Sequence, residues 1–340
     1  MAACIFAVGR MALFGCRHGL IALMLMVGMI AGLEPAAQAQ TYPAKPIHII
    51  VPFAPGGITD VVARALGQRL SEAWKQQVVV ENRPTGAGIV GVDAVAKAVP
   101  DGHTLLVAAD ANFVTAPHTY SKLPYDAFKD FAPISGLGIS PQALIVHPSV
   151  PARTFAELIE LGKKKPGELN YGTFGIGTSG HLNIVLMESL TGARFTPVHY
   201  RGATPALTDT IAGHIQMMIV SIGLVAQPWQ AGQLKVLGFG STSRISQYPD
   251  VPTLAESGLP GYEAGSWYGL FAPAGTPPAI VEKINAETQR TFADPAFRDR
   301  VLAPSFIYSI ASSPEEFAAR IRSDSVKWGK VIREANIKAE

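Results

Sequence analysis

From residue 47 onward, short apolar runs alternate with stretches whose apolar residues recur every three to four positions. Residues 47–53 (IHIIVPF) form such a run, closed by Pro55-Gly56-Gly57, and predict a buried strand. Thr59 or Asp60 then opens a helix, with Val61, Val62, Ala65, Leu66, Leu70 and Trp74 on one face. Residues 78–81 predict a second strand, 91–98 a second helix stopped by Pro100-Asp101-Gly102, and 103–109 a third strand. This spacing implies parallel strands joined by right-handed crossovers. The middle of the chain repeats the rhythm, with strands expected at 142–147, 169–171, 215–220 and 234–238 and helices at 154–164, 181–190 and 205–212. A late strand at 267–272 (WYGLFA) precedes helices at 278–291, 295–302 and 314–336.

The pattern divides into two α/β units joined near residues 134–141 and again near 261–266. Two crossings make the first unit discontinuous. One lobe then comprises residues 40–136 with 264–340, and the other residues 137–263. A cleft between two such units is a natural ligand site.

The start of the chain follows a different logic. Arg10, Arg17 and His18 precede an uncharged run at 19–33, and Ala37-Gln38-Ala39 supplies small residues at a cleavage position. Together they read as a secretory signal peptide, residues 1–39, cut before Gln40. The run is short for a membrane span, which needs about 20 apolar residues. Both cysteines, Cys4 and Cys16, fall in this segment. The mature chain is therefore expected to have no disulfide, thiol nucleophile or cysteine metal ligand.

Composition narrows the function classes. At 48% hydrophobic and 16% charged residues the 340-residue chain is no disordered polymer. A formal charge of +2 gives no electrostatic footprint for nucleic acid. The eight histidines show no clustered ligand spacing, so no metal site is expected. A Walker-type nucleotide loop is absent.

Two glycine-rich loops carry the candidate chemistry. The first runs through Phe53, Gly56, Gly57, Ile58, Thr59 and Asp60, joining a strand end to a helix start. Its glycines leave backbone N–H groups uncovered beside the positive end of a helix dipole, an arrangement suited to an anion or simply to a capped turn. Asp60 is favoured as a helix cap rather than a ligand contact. The second runs from Gly172 through Gly177, Thr178 and Ser179 to His181, again between a strand and a helix. Gly86-Ala87-Gly88-Ile89-Val90-Gly91 matches the dinucleotide fingerprint, but another strand and helix precede it; tight packing of helix on sheet is the better reading. Ser179 lacks the G-x-S-x-G spacing of a hydrolase elbow. Trp267 and Tyr268, beside the second crossing, either contact ligand or pack in the core.

Nine short motifs in order give the chain a family resemblance. They include Pro52-Phe53-x-Pro55-Gly56-Gly57-x-x-Asp60, Val79-Val80-Glu81-Asn82-Arg83-Pro84, Pro100-Asp101-Gly102 and Gly177-Thr178-Ser179-x-His181-Leu182. Pro249-Asp250-Val251-Pro252-Thr253 and Ala272-Pro273-Ala274-Gly275-Thr276-Pro277 follow. Together they resemble the Bug-type extracytoplasmic solute receptors of tripartite tricarboxylate transporters, over essentially the whole mature chain. The resemblance implies a two-lobed type II periplasmic binding protein that closes like a flytrap, with a mixed, mostly parallel sheet in each lobe. It implies no enzyme activity and no cofactor, a monomer, transient contact with membrane transporter subunits, and a small carboxylate ligand: a di- or tricarboxylate, an amino acid or an aromatic acid. It places the ligand on Gly56, Gly57 and Thr59, on Asp110 and Asn112, on Gly177, Thr178, Ser179 and His181, and near Ser221; Phe53, Ile58, Asp60 and Trp267 stand beside these as further candidate contacts read from the residues.

The chain departs from the family pattern at Ile58, at Gln216 where aspartate is usual, at Ser221, and at Asp110-Ala111-Asn112, which adds negative charge. Asp110 is placed to contact an amino or hydroxyl group of the ligand. The rivals are an exported serine-dependent hydrolase, a dinucleotide enzyme, and a ligand sensor serving a signalling partner.

Overall fold

The computed structural model describes residues 42–84, 86–334 and 337–338. The leader reading, with its two cysteines, lies outside the described residues.

Three strands, β1 (Ile47–Val51), β2 (Val78–Asn82) and β3 (Thr104–Ala109), pair in parallel in the order β2-β1-β3. Helices α1 (Ile58–Trp74) and α2 (Ile89–Ala96) connect them. The expected helix start at Thr59 or Asp60 falls one or two residues early, at Ile58 with Gly57 in the cap position. A wide turn, Ala111–Thr115, leads from β3 into the short helix α3 (Ala116–Thr119).

The first crossing between the lobes is itself a strand. β4 (Phe131–Val146) runs sixteen residues without interruption, where the polar and glycine-rich stretch after Ile134 reads as a joint. Its first part pairs antiparallel with β9 (Gly265–Pro273), ending at Pro141 opposite Gly265. Its second part pairs antiparallel with β7 (Met217–Ser221), starting at Gln142 opposite Ser221, and with β8 (Lys235–Phe239). The second sheet continues in parallel from β7 to β5 (Asn170–Thr173) and β6 (Thr196–His199). Both sheets are therefore mixed: β2, β1 and β3 run parallel in the first and β7, β5 and β6 in the second, while every pairing made by β4 or β9 is antiparallel. The helices here are α4 (Phe155–Lys164), α5 (Ser179–Thr191), α6 (Ala203–Ile211) and α7 (Ile222–Gln230). The chain then returns to the first sheet for α8 (Pro278–Ala293), the two-residue strand β10 (Tyr308–Ser309) on β4, and α9 (Pro314–Glu334).

Side-chain alternation explains why these strands read as continuous apolar runs. Leu144, Val146, Met217 and Ile219 point to one face, against Phe155 and Leu158 of α4 and Ile184 and Met187 of α5. Ala143, Ile145, Met218 and Val220 point to the other, against Ala206 of α6 and Val225 of α7. In the first lobe Phe271 of β9 stacks on Phe113, with ring centroids 3.8 Å apart, and meets Phe317 of α9. Among the described residues no helix is long and apolar enough to cross a membrane.

Besides the short α3 and β10, two longer elements escape the sequence pattern. β6 contains Pro197, which a sheet tolerates at its edge, where β6 sits. α7 contains Gly223 and Pro228, both of which read as breakers. A side chain at Gly223 has no room, since its Cβ would lie 2.3 Å from the Ser305 carbonyl oxygen.

Candidate functional site

β1 ends in a turn that requires glycine at Gly56, whose φ is +80°. α1 then begins without a side-chain cap: Gly57 holds the cap position. Asp60 does not cap from the position before the helix, as expected, but reaches back from inside its first turn. Its Oδ2 accepts the Gly56 N–H at 3.0 Å, and Arg64 and the Asn82 amide hold the rest of the carboxylate. Burial raises the Asp60 pKa, but the Arg64, Gly56 and Asn82 hydrogen bonds outweigh it, leaving a net pKa below the usual aspartate value. The carboxylate thus stays ionised and fully engaged, while the N–H groups at the front of α1 remain open.

That front faces a cavity between the lobes, with about 40 Å³ open to a water-sized sphere. The first lobe contributes Phe53, Ala54, Gly57, Ile58, Thr59 and Ala109, and β9 contributes Ser266 and Tyr268. The second lobe contributes Phe174, Ala203, Val220, Ser221 and Leu224. Ala203 opens α6 and Ser221 precedes α7; like α1, both helices start without a side-chain cap. Thr59 is 5% exposed, and among the described residues its hydroxyl has no hydrogen-bond partner. Among the described residues no Lys, Arg or His lines the cavity. A roomier hollow, about 340 Å³, lies over the crossing strands beside Ser241–Ser246, but the one cation lining it among the described residues, Arg244, is already paired with Glu256.

The lobes touch on two sides of the cavity. Thr204 Oγ1 donates to the Pro55 carbonyl at 3.2 Å, and Gly202 packs on Ala54. On the other side the Thr115 hydroxyl donates to the Gly177 carbonyl, and Gly177, at φ +76°, lies against Thr119.

The remaining candidate residues lie behind these walls. Gly56 gives its N–H to Asp60 and does not line the cavity. Thr178 donates to the Gly175 carbonyl at 2.7 Å, and Ser179 Oγ accepts the Gln142 amide at 2.7 Å. Among the described residues the side-chain partner of Ser179 Oγ is thus an amide, not the imidazole a serine nucleophile would take as its base. From the second glycine loop it is Phe174 that reaches the cavity. Asn112 is fully buried, its amide donating to the Ala87 carbonyl at 2.8 Å. Trp267 packs in the first lobe's core and donates to Asp324 at 2.8 Å, while its neighbours Ser266 and Tyr268 point the other way, into the cavity. Gln216 accepts the Asn170 N–H at 3.0 Å, at the far end of β7 from Ser221. Gly88 and Gly91 of the fingerprint pack on Pro52, at the start of the first loop: a Cβ at Gly88 would lie 2.8 Å, and one at Gly91 2.9 Å, from it.

His181 holds the second loop in shape. Its Nδ1 accepts the Gly177 N–H at 3.1 Å, which puts the ring proton on Nε2. Burial, with His199 nearby, pushes its pKa down to about 4. The unfolded chain therefore binds more protons than the folded one between about pH 6.5 and about pH 4. Stability is expected to fall by roughly 1–3 kcal/mol as pH drops through that window. Urea unfolding at a series of pH values checks this; His181→Gln should flatten the slope, and an unchanged slope would count against it.

The comparisons with known proteins decide the family. Residues 62–337 match the family described as the tripartite tricarboxylate transporter family receptor. This chain belongs to that family. A Pseudomonas sp. (strain P51) relative, a UPF0065 protein from the tcbD-tcbE intergenic region, is 36% identical over 316 residues, covering 93% of this chain and 94% of the relative. Among solved structures, Rpa4515 of R. palustris with adipate superposes with TM-score 0.84 at 31% identity, over 87% of this chain and 99% of its own. MatC of Rhodopseudomonas palustris, with bound malate, gives TM-score 0.81 at 31% identity, over 86% and 100%. The receptor has the two-lobed periplasmic binding-protein fold, acts in the periplasm, and is a solute-binding protein rather than an enzyme.

Proposed function

We propose that this receptor captures a small organic acid by its carboxylate in the interlobe cleft and delivers it to the membrane subunits of a tripartite tricarboxylate transporter. One observation carries the reading: α1, α6 and α7 all start at the same cavity without side-chain caps. The first N–H groups of such helices are unpaired donors at the positive end of a dipole. A carboxylate satisfies them without a basic side chain. Thr59 adds a hydroxyl, and Phe53, Phe174, Val220 and Leu224 exclude water from the ligand's body. The relatives solved with adipate and malate, both small carboxylates, agree with this class.

Ligand that touches both lobes favours the closed arrangement, in which the Thr204–Pro55 and Thr115–Gly177 contacts form. The pivot is β4, where pairing changes from β9 to β7 between Pro141 and Gln142. With that pivot the lobes are residues 40–141 with 265–340, and residues 142–264, five residues beyond the first boundary expected from the sequence and one beyond the second, in a monomer released by cleavage near Ala39-Gln40. A thermal-shift screen of organic acids, with mass spectrometry of co-purified ligand, tests the reading. At least one small carboxylate should raise the melting temperature, following the mass-action stabilisation of a bound receptor. If neutral sugars or cations shift it and no acid does, the reading is wrong.

A further inference from the structure

One hydroxyl in the cavity wall has its proton already placed. Ser266 lies on β9, 4% exposed, with its side chain in the cavity. Its Oγ donates to Asp110 Oδ1 at 2.8 Å. Asp110 follows β3 and does not itself line the cavity. A serine hydroxyl has one proton and two lone pairs. With the proton turned back to Asp110, Ser266 shows the cavity lone pairs alone.

The direction of that bond does not depend on the charge of Asp110. Burial pushes the Asp110 pKa up to about 7, so both forms of its carboxyl are populated near neutral pH. Oδ1 accepts the Ala111 N–H at 2.8 Å as well as the Ser266 hydroxyl. A proton on Oδ1 would displace one of those donors. A protonated carboxyl therefore carries it on Oδ2 and still accepts from Ser266.

The same wall can also donate. The Tyr268 and Ser221 hydroxyls are 3.1 Å apart, with either able to donate. They hold two protons; one lies between them and the other is left to give. A ligand hydroxyl fits this wall, donating to Ser266 and accepting from the pair. A second carboxylate does not: it has no proton for Ser266, and among the described residues no Lys, Arg or His lines the cavity to offset its charge. A bare alkyl end leaves the buried lone pairs of Ser266 without a donor. We infer that Ser266 determines specificity, selecting a small monocarboxylate whose far end donates a hydrogen bond, through a hydroxyl or an ammonium, over the plain acid and over the dicarboxylate of the same length.

This rests on the carboxylate reading above, and calorimetry with matched ligands separates the two. 3-Hydroxypropionate, 3-aminopropionate, propionate and malonate share a chain length and differ at the far end; 4-hydroxybutyrate, 4-aminobutyrate, butyrate and succinate form a longer set. In at least one set the hydroxy or amino acid should bind roughly tenfold more tightly than both the plain acid and the dicarboxylate, as a hydrogen bond to a buried acceptor provides. The hydroxy and amino arms tell which donor is read. Ser266→Ala removes the acceptor and should bring the ratio of donor-bearing to plain acid to about one; Ser266→Cys, of similar size but a weak acceptor, should fall between. Each ratio compares ligands on one protein, so a partly unfolded sample does not alter it. If the plain acid or the dicarboxylate binds most tightly to the wild type, or the preference survives in Ser266→Ala, the inference is overturned and the carboxylate reading stands. If no acid in either set binds, the inference fails, and the broader screen above decides the carboxylate reading by itself.

Discussion

Gly57→Asp is expected to abolish acid binding while leaving the receptor at least as stable as the wild type. Gly57 has an ordinary φ of −75°, and a Cβ there meets nothing closer than the Ala54 carbonyl oxygen at 3.7 Å. Aspartate is a good helix cap, worth a few tenths of a kcal/mol over glycine. Its carboxylate would take the N–H groups of α1 that the proposed site offers to the ligand's carboxylate. Losing two such charge-assisted hydrogen bonds costs about 3 kcal/mol or more, and so roughly 100-fold or more in affinity. Calorimetry with an acid bound by the wild type, beside a thermal melt, reads both effects. Undiminished affinity would remove this turn from the site; a collapsed melt would mean the loop is structural instead.

Gly202→Val should weaken binding from a distance, by keeping the lobes from meeting. A Cβ at Gly202 would lie 2.8 Å from the Ala54 Cβ and 3.1 Å from its backbone nitrogen. The backbone there is extended and accepts any residue, and the collision is with the opposite lobe. An open receptor has room for the side chain; a closed one does not. Overpacking of this kind costs about 1–3 kcal/mol, charged here to the closed state alone, so affinity should fall roughly 10- to 100-fold. Small-angle scattering with saturating ligand should show the variant remaining extended where the wild type contracts. Wild-type contraction and affinity would mean that Gly202 and Ala54 do not govern closure.

Strands and helices with clean periodicity were legible from residues alone, β1, α1, β3 and α4 among them. α7 was not, because Gly223 and Pro228 lower local helix propensity and the compensation is tertiary: Ser305 leaves no space for more than glycine. The crossing in β4 read as a joint because Ser135, Gly136 and Gly138 are poor strand formers; strand pairing on both sides imposes the conformation. The two glycine loops were visible as motifs, but the facing of their side chains was not. Thr178, Ser179 and His181 turn inward to hydrogen-bond their own lobe, and Phe174 faces the cleft instead. On β9 the tryptophan was as conspicuous as the tyrosine; only the register of the pleat sends Tyr268 to the cavity side.

The order of apolar runs and glycine turns, by itself, determined the two-lobed α/β architecture and the anion-ready start of α1. These are local properties, written in neighbouring residues and felt within one turn or one pleat. Tertiary structure alone decided that α6 and α7 begin at the same cavity as α1, and that Asp110 is joined to it through Ser266. Those partners are far apart in sequence, and no short-range rule of backbone or side chain carries information across such a gap. They meet because the two sheets share β4 and fold their ends toward one another.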